Sequence, residues 1–479
     1  MKQKSTIELA VKDLRPALTG LAKVIPRTST QAISACVKME PDPDEPGTVL
    51  LTGTDLDQWL TLRLPGDVGV EAHPMLVPLT DLRESIKGGS ASDHLSLQQQ
   101  GKGRVSLSRQ IETGVVARSV QSHELDEYPH SPDIGAAAFP LDDHAQQALQ
   151  QSLTCCSTDP TRQVLNGALL ENGKTFVGTD GRHLYRCNGM ALPVEASAIL
   201  PYQQVMNWPL IRNAESWQLA VDADWFQLRG ESWQFTSRLI EGNYPNWKQI
   251  MPAEDDFRSR VVFAPDKLAQ LCDTIAALPG AKRQDKPVGL RLTRHGATLL
   301  ASGDDDKAEI SEVPVTNSTT EGPEVTVHVN RDYLTKALRF GLNRVDIIDA
   351  ESPLRLRCDT AADGRDLIVM PVRVPGGSVG PATPRPTTQP KPEAKPMKPN
   401  PNHNDKTNGR QQTAKEEEPA PLDAAINHIG SAKDLLRQAV TGLGEALASL
   451  KQVKSDQKTT DKEIRQVRST IRSLQKVEL

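Results

Sequence analysis

The chain has no apolar run approaching the roughly 20 residues that a membrane-spanning helix needs. Its start, MKQKSTIELA, lacks the apolar stretch of a secretion signal. Neither membrane insertion nor secretion is therefore expected. Its six cysteines (Cys36, Cys155, Cys156, Cys187, Cys272 and Cys358) form no CxxC spacing and have no histidine cluster nearby of the kind that zinc requires. They are expected to be buried free thiols. The adjacent pair Cys155-Cys156 reads as two small residues at a helix end and not as a redox centre. There is no Walker-type loop, no GxSxG and no HExxH, which leaves nucleotide hydrolysis and metalloprotease chemistry without a motif.

What the chain does have is repetition. Thr52-Gly53-Thr54-Asp55, Val177-Gly178-Thr179-Asp180 and Ser302-Gly303-Asp304-Asp305 recur at a constant interval of 125 residues. A helix-like stretch with a leading Asp precedes each copy, at Asp13, Asp142-Asp143 and Asp266. A second helix-like stretch follows each, near 80–82, 202–208 and 331–333, and the first two units close alike on Glu127-Tyr128-Pro129 and Asn243-Tyr244-Pro245. A period this long means repeated domains and not a solenoid. Short apolar strand patterns separated by turn residues make each unit two helices on antiparallel sheet, an α+β arrangement. The boundaries fall at 1–133, 134–253 and 254–376.

The composition changes after Gly376. Residues 377–421 are rich in Pro, Lys, Thr and Asn, too poor in apolar residues to fold, and read as a disordered tether. Residues 422–479 carry a heptad seam (Leu422, Ala425, Ile429, Ala432, Leu436, Ala439, Leu443, Ala446, Leu450) that breaks at Gln457 and Thr460 and resumes at Ile464. Either one long helix self-associates as a coiled coil or two helices fold back around 455–460. From 377 onward the chain has 17 basic and 12 acidic residues, leaving 39 basic against 49 acidic in the repeats. An acidic body argues against coating DNA by bulk charge, so any contact with DNA needs a local basic face.

Four motifs in order on this threefold frame resemble the beta subunit of bacterial DNA polymerase III, the sliding clamp. They are Leu51-Thr52-Gly53-Thr54-Asp55-Leu56, then Leu165-Asn166-Gly167 with Thr179-Asp180-Gly181-Arg182-His183-Leu184, then Leu239-Ile240-Glu241-Gly242-Asn243-Tyr244-Pro245-Asn246-Trp247, and Ile368-Val369-Met370-Pro371-Val372-Arg373-Val374. The resemblance covers nearly all of residues 1–374. It implies a bacterial cytoplasmic protein, a head-to-tail homodimeric ring of six similar domains encircling duplex DNA without sequence preference. Such a ring tethers the polymerase catalytic subunit and works with a clamp loader. It is a processivity factor with no catalysis and no cofactor or metal. The best catalytic candidates, Asp304-Asp305-Asp306 and Asp180 with His183, sit at the repeat's turn position, where Asp serves the backbone. The alternative reading is a clamp-derived scaffold that keeps the partner pocket and does not encircle DNA productively.

The resemblance also implies sites. The partner-peptide pocket maps to Leu165, Thr179, Gly181, Arg182, His183, Leu184, Pro245, Ile250, Ile368, Val369, Met370, Pro371, Val372 and Arg373, an apolar floor with Arg and His as rim donors. The DNA-facing cations are Arg27, Arg83, Lys87, Lys267, Lys336 and Arg339. Several features depart from the family pattern: Arg182 precedes His183 where His then Arg is usual, Gln249 replaces a basic residue and Glu351 an apolar one. The stretches 141–153 and 202–208 contain no Lys or Arg although they are expected to face the hole. The segment from 377 has no counterpart in the family and is expected to be an interaction module whose partner the sequence does not name.

Overall fold

The computed structural model describes residues 6–26, 32–101, 103–111, 114–303, 310–360 and 364–373. The chain divides into Met1–Ala382 and Thr383–Leu479, and the described residues belong to the first unit. The expected tether (377–421) and helical module (422–479), together with Arg27 and Asp304-Asp305-Asp306, lie outside the described residues.

The described body is α+β with antiparallel strand pairing. Each repeat opens on a helix whose apolar residues recur every three or four positions. In Val11–Leu21 the buried residues are Val11, Leu14, Ala17, Leu18 and Leu21, while Lys12 and Arg15 are exposed. The counterparts are Asp143–Thr154, whose first turn is capped by the Asp142 carboxylate accepting from Ala145 N at 2.7 Å, and Leu268–Ala277. The second helices are Leu79–Ser85 and Arg331–Arg339 in the first and third repeats. In the second repeat the expected helix over 202–208 is instead a 3₁₀ turn, Gln204–Asn207, and a single turn, Pro209–Arg212. Pro209 holds Trp208 extended (ψ 130°) and splits the two.

The recurring Gly marks the end of the same strand in each repeat: Thr48–Thr54, Thr175–Thr179 and Gly296–Ser302. The reason is close approach. A Cβ on Gly178 would sit 1.9 Å from the Ser152 carbonyl oxygen of the packed helix, and one on Gly53 would meet the Ile25 side chain at 2.8 Å. The two closing tyrosines dock on equivalent strand positions as well. Tyr128 Oη donates to Thr52 O at 2.9 Å and Tyr244 Oη to Val177 O at 3.5 Å.

Sheets run from one repeat into the next. Gln58–Val68 pairs with Trp233–Arg238, and His183–Cys187 pairs with Arg365–Val369, producing a 12-stranded and a nine-stranded sheet beside one of four strands. Among the described residues, Gly114–Gln121 and Ile310–Val315 end two of these sheets, each paired on one side only. Of the cysteines, five are buried and all six are free, but Cys358 is half-buried. Burial pushes the Cys155 thiol up to about 12, which keeps it protonated and leaves the redox reading without support.

Candidate functional site

The nine-stranded sheet carries an apolar cluster on one face, formed by Leu169, Val177, Leu184, Ile199, Ile368 and Trp247, with Val164, Ile240, Tyr244 and Met251 against its edge. Leu184 and Ile368 are register partners, so residues 184 positions apart in sequence meet across the seam between second and third repeats. A cleft of about 120 Å³ lined by Ile199, Ile240 and Arg238 borders the cluster. At the equivalent place in the first repeat a cavity of about 390 Å³ lies beside Tyr128, Leu50 and Thr52.

The turn that feeds this face is built by its own side chains. Thr179 Oγ1 accepts from Gly181 N (3.0 Å) and donates to His183 O (2.6 Å), and Asp180 Oδ1 accepts from Arg182 N (2.8 Å) and His183 N (3.0 Å). Gly181 takes φ +86°, a left-handed value that glycine adopts freely. Asp180 therefore serves backbone geometry, as its turn position implied.

Arg182 and His183 go separate ways. Arg182 is exposed and pairs with Asp285 of the third repeat. His183, next along the strand, points away from the Leu184 face and is buried. Its Nδ1–H donates to Asp180 Oδ1 at 2.8 Å and its Nε2 accepts from Lys336 Nζ at 3.0 Å, so both ring nitrogens are committed. Burial lowers the His183 pKa, and the imidazole is neutral. Burial opposes ionisation of Asp180, but the hydrogen bond from His183 and the backbone N–H groups outweigh it and hold the carboxyl below its usual range. His183 is thus an interior link between repeats, which corrects its expected role as a rim donor. The same geometry turns Lys336 inward, where Nζ also donates to Thr154 O at 2.9 Å.

The other expected pocket residues are distributed around the cluster. Val369, opposite His183 in register, instead packs in the main core on the other face of the sheet; Thr179 is buried, Leu165 is half-buried in the turn Gln163–Leu165, and Pro245, Ile250, Met370 and Arg373 are exposed. Met370 N donates to Arg182 O (3.1 Å), Pro371 bridges to Val329, and Val372 N donates to His328 O (2.7 Å), pinning half-buried Pro371 and Val372 to the third repeat. Gln249 and Glu351 are both exposed. Sequence reading missed Leu169, Val177, Ile199 and Trp247. Leu169 and Val177 lie in unbroken buried runs, Ala168-Leu169-Leu170 and Phe176-Val177, so no alternation marked which of these residues face the site.

Among the expected DNA-facing cations, Arg83 donates to Leu18 O at 3.2 Å, Lys87 and Lys267 are exposed beside Glu84 and Asp266 at 3.6 and 3.8 Å, and Arg339 is exposed at its helix end. Exposed Lys12, Arg15, Lys23 and Arg212 were overlooked, the first two alternating with the buried stripe of Val11–Leu21. Helix Asp143–Thr154 exposes Asp143, Gln147 and Thr154 and presents no cation.

Comparison with known proteins now decides the fold. No family model matches. The chain is 24% identical over 341 residues to the beta sliding clamp of Escherichia coli strain K12, covering 68% of this chain and 89% of the relative. It is 23% identical over 339 residues to that of Pseudomonas putida, covering 68% and 88%. The solved sliding clamp of Bacillus subtilis superposes with a TM-score of 0.65 at 18% identity, covering 78% of this chain and 100% of that one, and the DNA polymerase beta subunit of Streptococcus pyogenes with 0.64 at 16%, covering 77% and 100%. The fold is that of a beta sliding clamp. In sequence as well as fold the chain is similar to these clamps, which agrees with a protein that is not an enzyme. A Pseudomonas aeruginosa clamp with the same fold (TM-score 0.64, 20% identity, 78% and 100% covered) was solved bound to griselimycin.

Proposed function

We propose that this chain is a DNA polymerase processivity factor, a homodimeric ring that encircles duplex DNA and holds the polymerase through the apolar cluster at the seam of the second and third repeats. The observation that carries this reading is the similarity to sliding clamps along the whole length of the solved examples. The ring is supported by the two singly paired edge strands. Gly114–Gln121 exposes Val115 and Val116 (62% and 51%) and Ile310–Val315 exposes Ile310 (63%), which makes both unprotected templates for strand addition. Pairing one edge with the other edge of a second copy, twice, closes a ring of six repeats.

In that ring Lys12, Arg15, Lys23, Arg83, Lys87, Lys267, Arg212 and Arg339 supply weak, interchangeable phosphate contacts suited to sliding. Such a ring works by raising the polymerase's effective concentration at the primer end. The cation-free helix Asp143–Thr154 favours a second reading, a scaffold that keeps the partner face without encircling DNA productively. Primer extension by the host polymerase and loader separates the two. A processivity factor lengthens the products of a single binding event, and a scaffold leaves them unchanged.

A further inference from the structure

The apolar cluster does not end at Ile368. Along the same face of the sheet, cross-strand register runs Leu184, Ile368, Arg355, Asp346, Arg260, and a parallel row runs Arg186, Asp366, Arg357, Arg344. Directly opposed residues share a face. Five arginines thus continue the surface that begins with the pocket floor. They surround two buried carboxylates. Asp346, with no exposed surface, lies 3.0 Å from Arg260 Nε, 2.8 Å from Arg344 Nε, 3.2 Å from Arg355 Nη2 and 3.0 Å from Arg357 Nε, while Asp366 pairs with Arg186.

Five cations on two buried anions leave an excess of positive charge in a partly desolvated place. What balances it is peripheral: Glu321 on Arg260 (3.3 Å), Asp359 near Arg344 (3.8 Å), and above all Glu254, which receives Arg355 Nη2 at 2.6 Å and Arg357 Nη2 at 2.7 Å while its own side chain stays 59% exposed. Arg355 is 6% exposed, and its Nε has no hydrogen-bond partner among the described residues, nor does Arg186 Nε. Those two Nε atoms are buried, and what the grid turns to the solvent edge is the pair of Nη2 groups of Arg355 and Arg357 that Glu254 now occupies, a planar arrangement suited to a carboxylate.

We propose that this arginine grid is the specificity half of the partner site. It reads an acidic side chain of the bound peptide, and Glu254 is a resident stand-in that the peptide's carboxylate displaces. The proposal rests on the partner-site reading above. The occupant is an extended peptide with an apolar anchor on Leu184 and Ile368. Two strand spacings separate Leu184 from Arg355, about 10 Å, so the acidic residue belongs about three positions from the anchor.

The test uses the full chain and short fluorescein-labelled peptides with leucine anchors, carrying Glu or Gln about three residues away, followed by anisotropy. The Glu peptide is expected to bind about tenfold more tightly than the Gln peptide, a preference that shrinks with added salt. Arg357→Gln, at a half-buried position, is expected to abolish the preference, and Glu254→Gln to strengthen binding of the Glu peptide. Equal binding of the two peptides to the unaltered protein overturns the proposal and leaves the partner site standing. Binding of neither overturns both.

Discussion

The imidazole of His183 lies stacked on the ring of Tyr333, with centroids 4.2 Å apart and planes 20° from parallel. The two residues belong to different repeats, and Asp180 joins them, accepting from His183 Nδ1–H and, at 2.8 Å, from Tyr333 Oη. With Lys336 Nζ on the far ring nitrogen, this network ties second and third repeats together beneath the sheet that carries the candidate site. Tyr333→Phe keeps the stack and removes one hydrogen bond to a carboxylate. It is expected to lower unfolding free energy by about 1–2 kcal/mol, read by denaturant titration.

The network also sets a pH dependence. His183 has its folded pKa below the unfolded value of about 6.5. The unfolded chain therefore takes up a proton first, and the stability contributed by the neutral ring is present above about pH 6.5 and is lost as pH falls through the folded value. Asp180, also depressed, acts in the same direction at lower pH. Asp366, raised by burial, acts in the opposite one. His183→Gln, which retains a donor and an acceptor and does not titrate, is expected to flatten the fall in melting temperature between about pH 7 and 5 relative to the unaltered protein. A parallel shift of the two profiles would show that His183 does not titrate in this range.

The recurring glycines are expected to differ in their tolerance of a methyl group. Gly178→Ala drives a Cβ against helix backbone and is expected to cost about 2–3 kcal/mol. Gly53→Ala meets side-chain atoms of Ile25 (2.8 Å) and Leu21 (3.1 Å) and no backbone, and is expected to cost roughly 1 kcal/mol. Melting temperatures of the two variants, measured side by side, give the order.

Trp247 is buried in the apolar cluster, and its Nε1–H has no hydrogen-bond partner among the described residues. Removing a buried unsatisfied donor relieves a desolvation cost, so Trp247→Phe is expected to raise stability by up to about 1 kcal/mol. The same change is expected to weaken a leucine-anchored peptide several-fold, because the indole contributes area to the floor of the site. Calorimetry and anisotropy on one preparation read both effects.

Much of this was legible in the sequence, for a physical reason. A repeat of 125 residues fixes where strands end on glycine, and the Thr-Asp-Gly turn builds itself from local hydrogen bonds. Leu184 and Ile368 could be placed because motifs mark their strands, whereas Val369, opposite His183, faces the main core. The inward turn of His183 and Lys336 could not be read, since it depends on how helix Arg331–Arg339 packs under a strand of another repeat. The arginine grid was equally hidden. Arg186, Arg260, Arg344, Arg355 and Arg357 lie on four strands, and only the register of the nine-stranded sheet brings them together.

The central claim is a ring threaded on DNA, and retention on nicked circular DNA after loading tests it most directly. The account predicts that the protein stays on the circle and is lost once the same DNA is linearised. Equal loss from circle and line would contradict it.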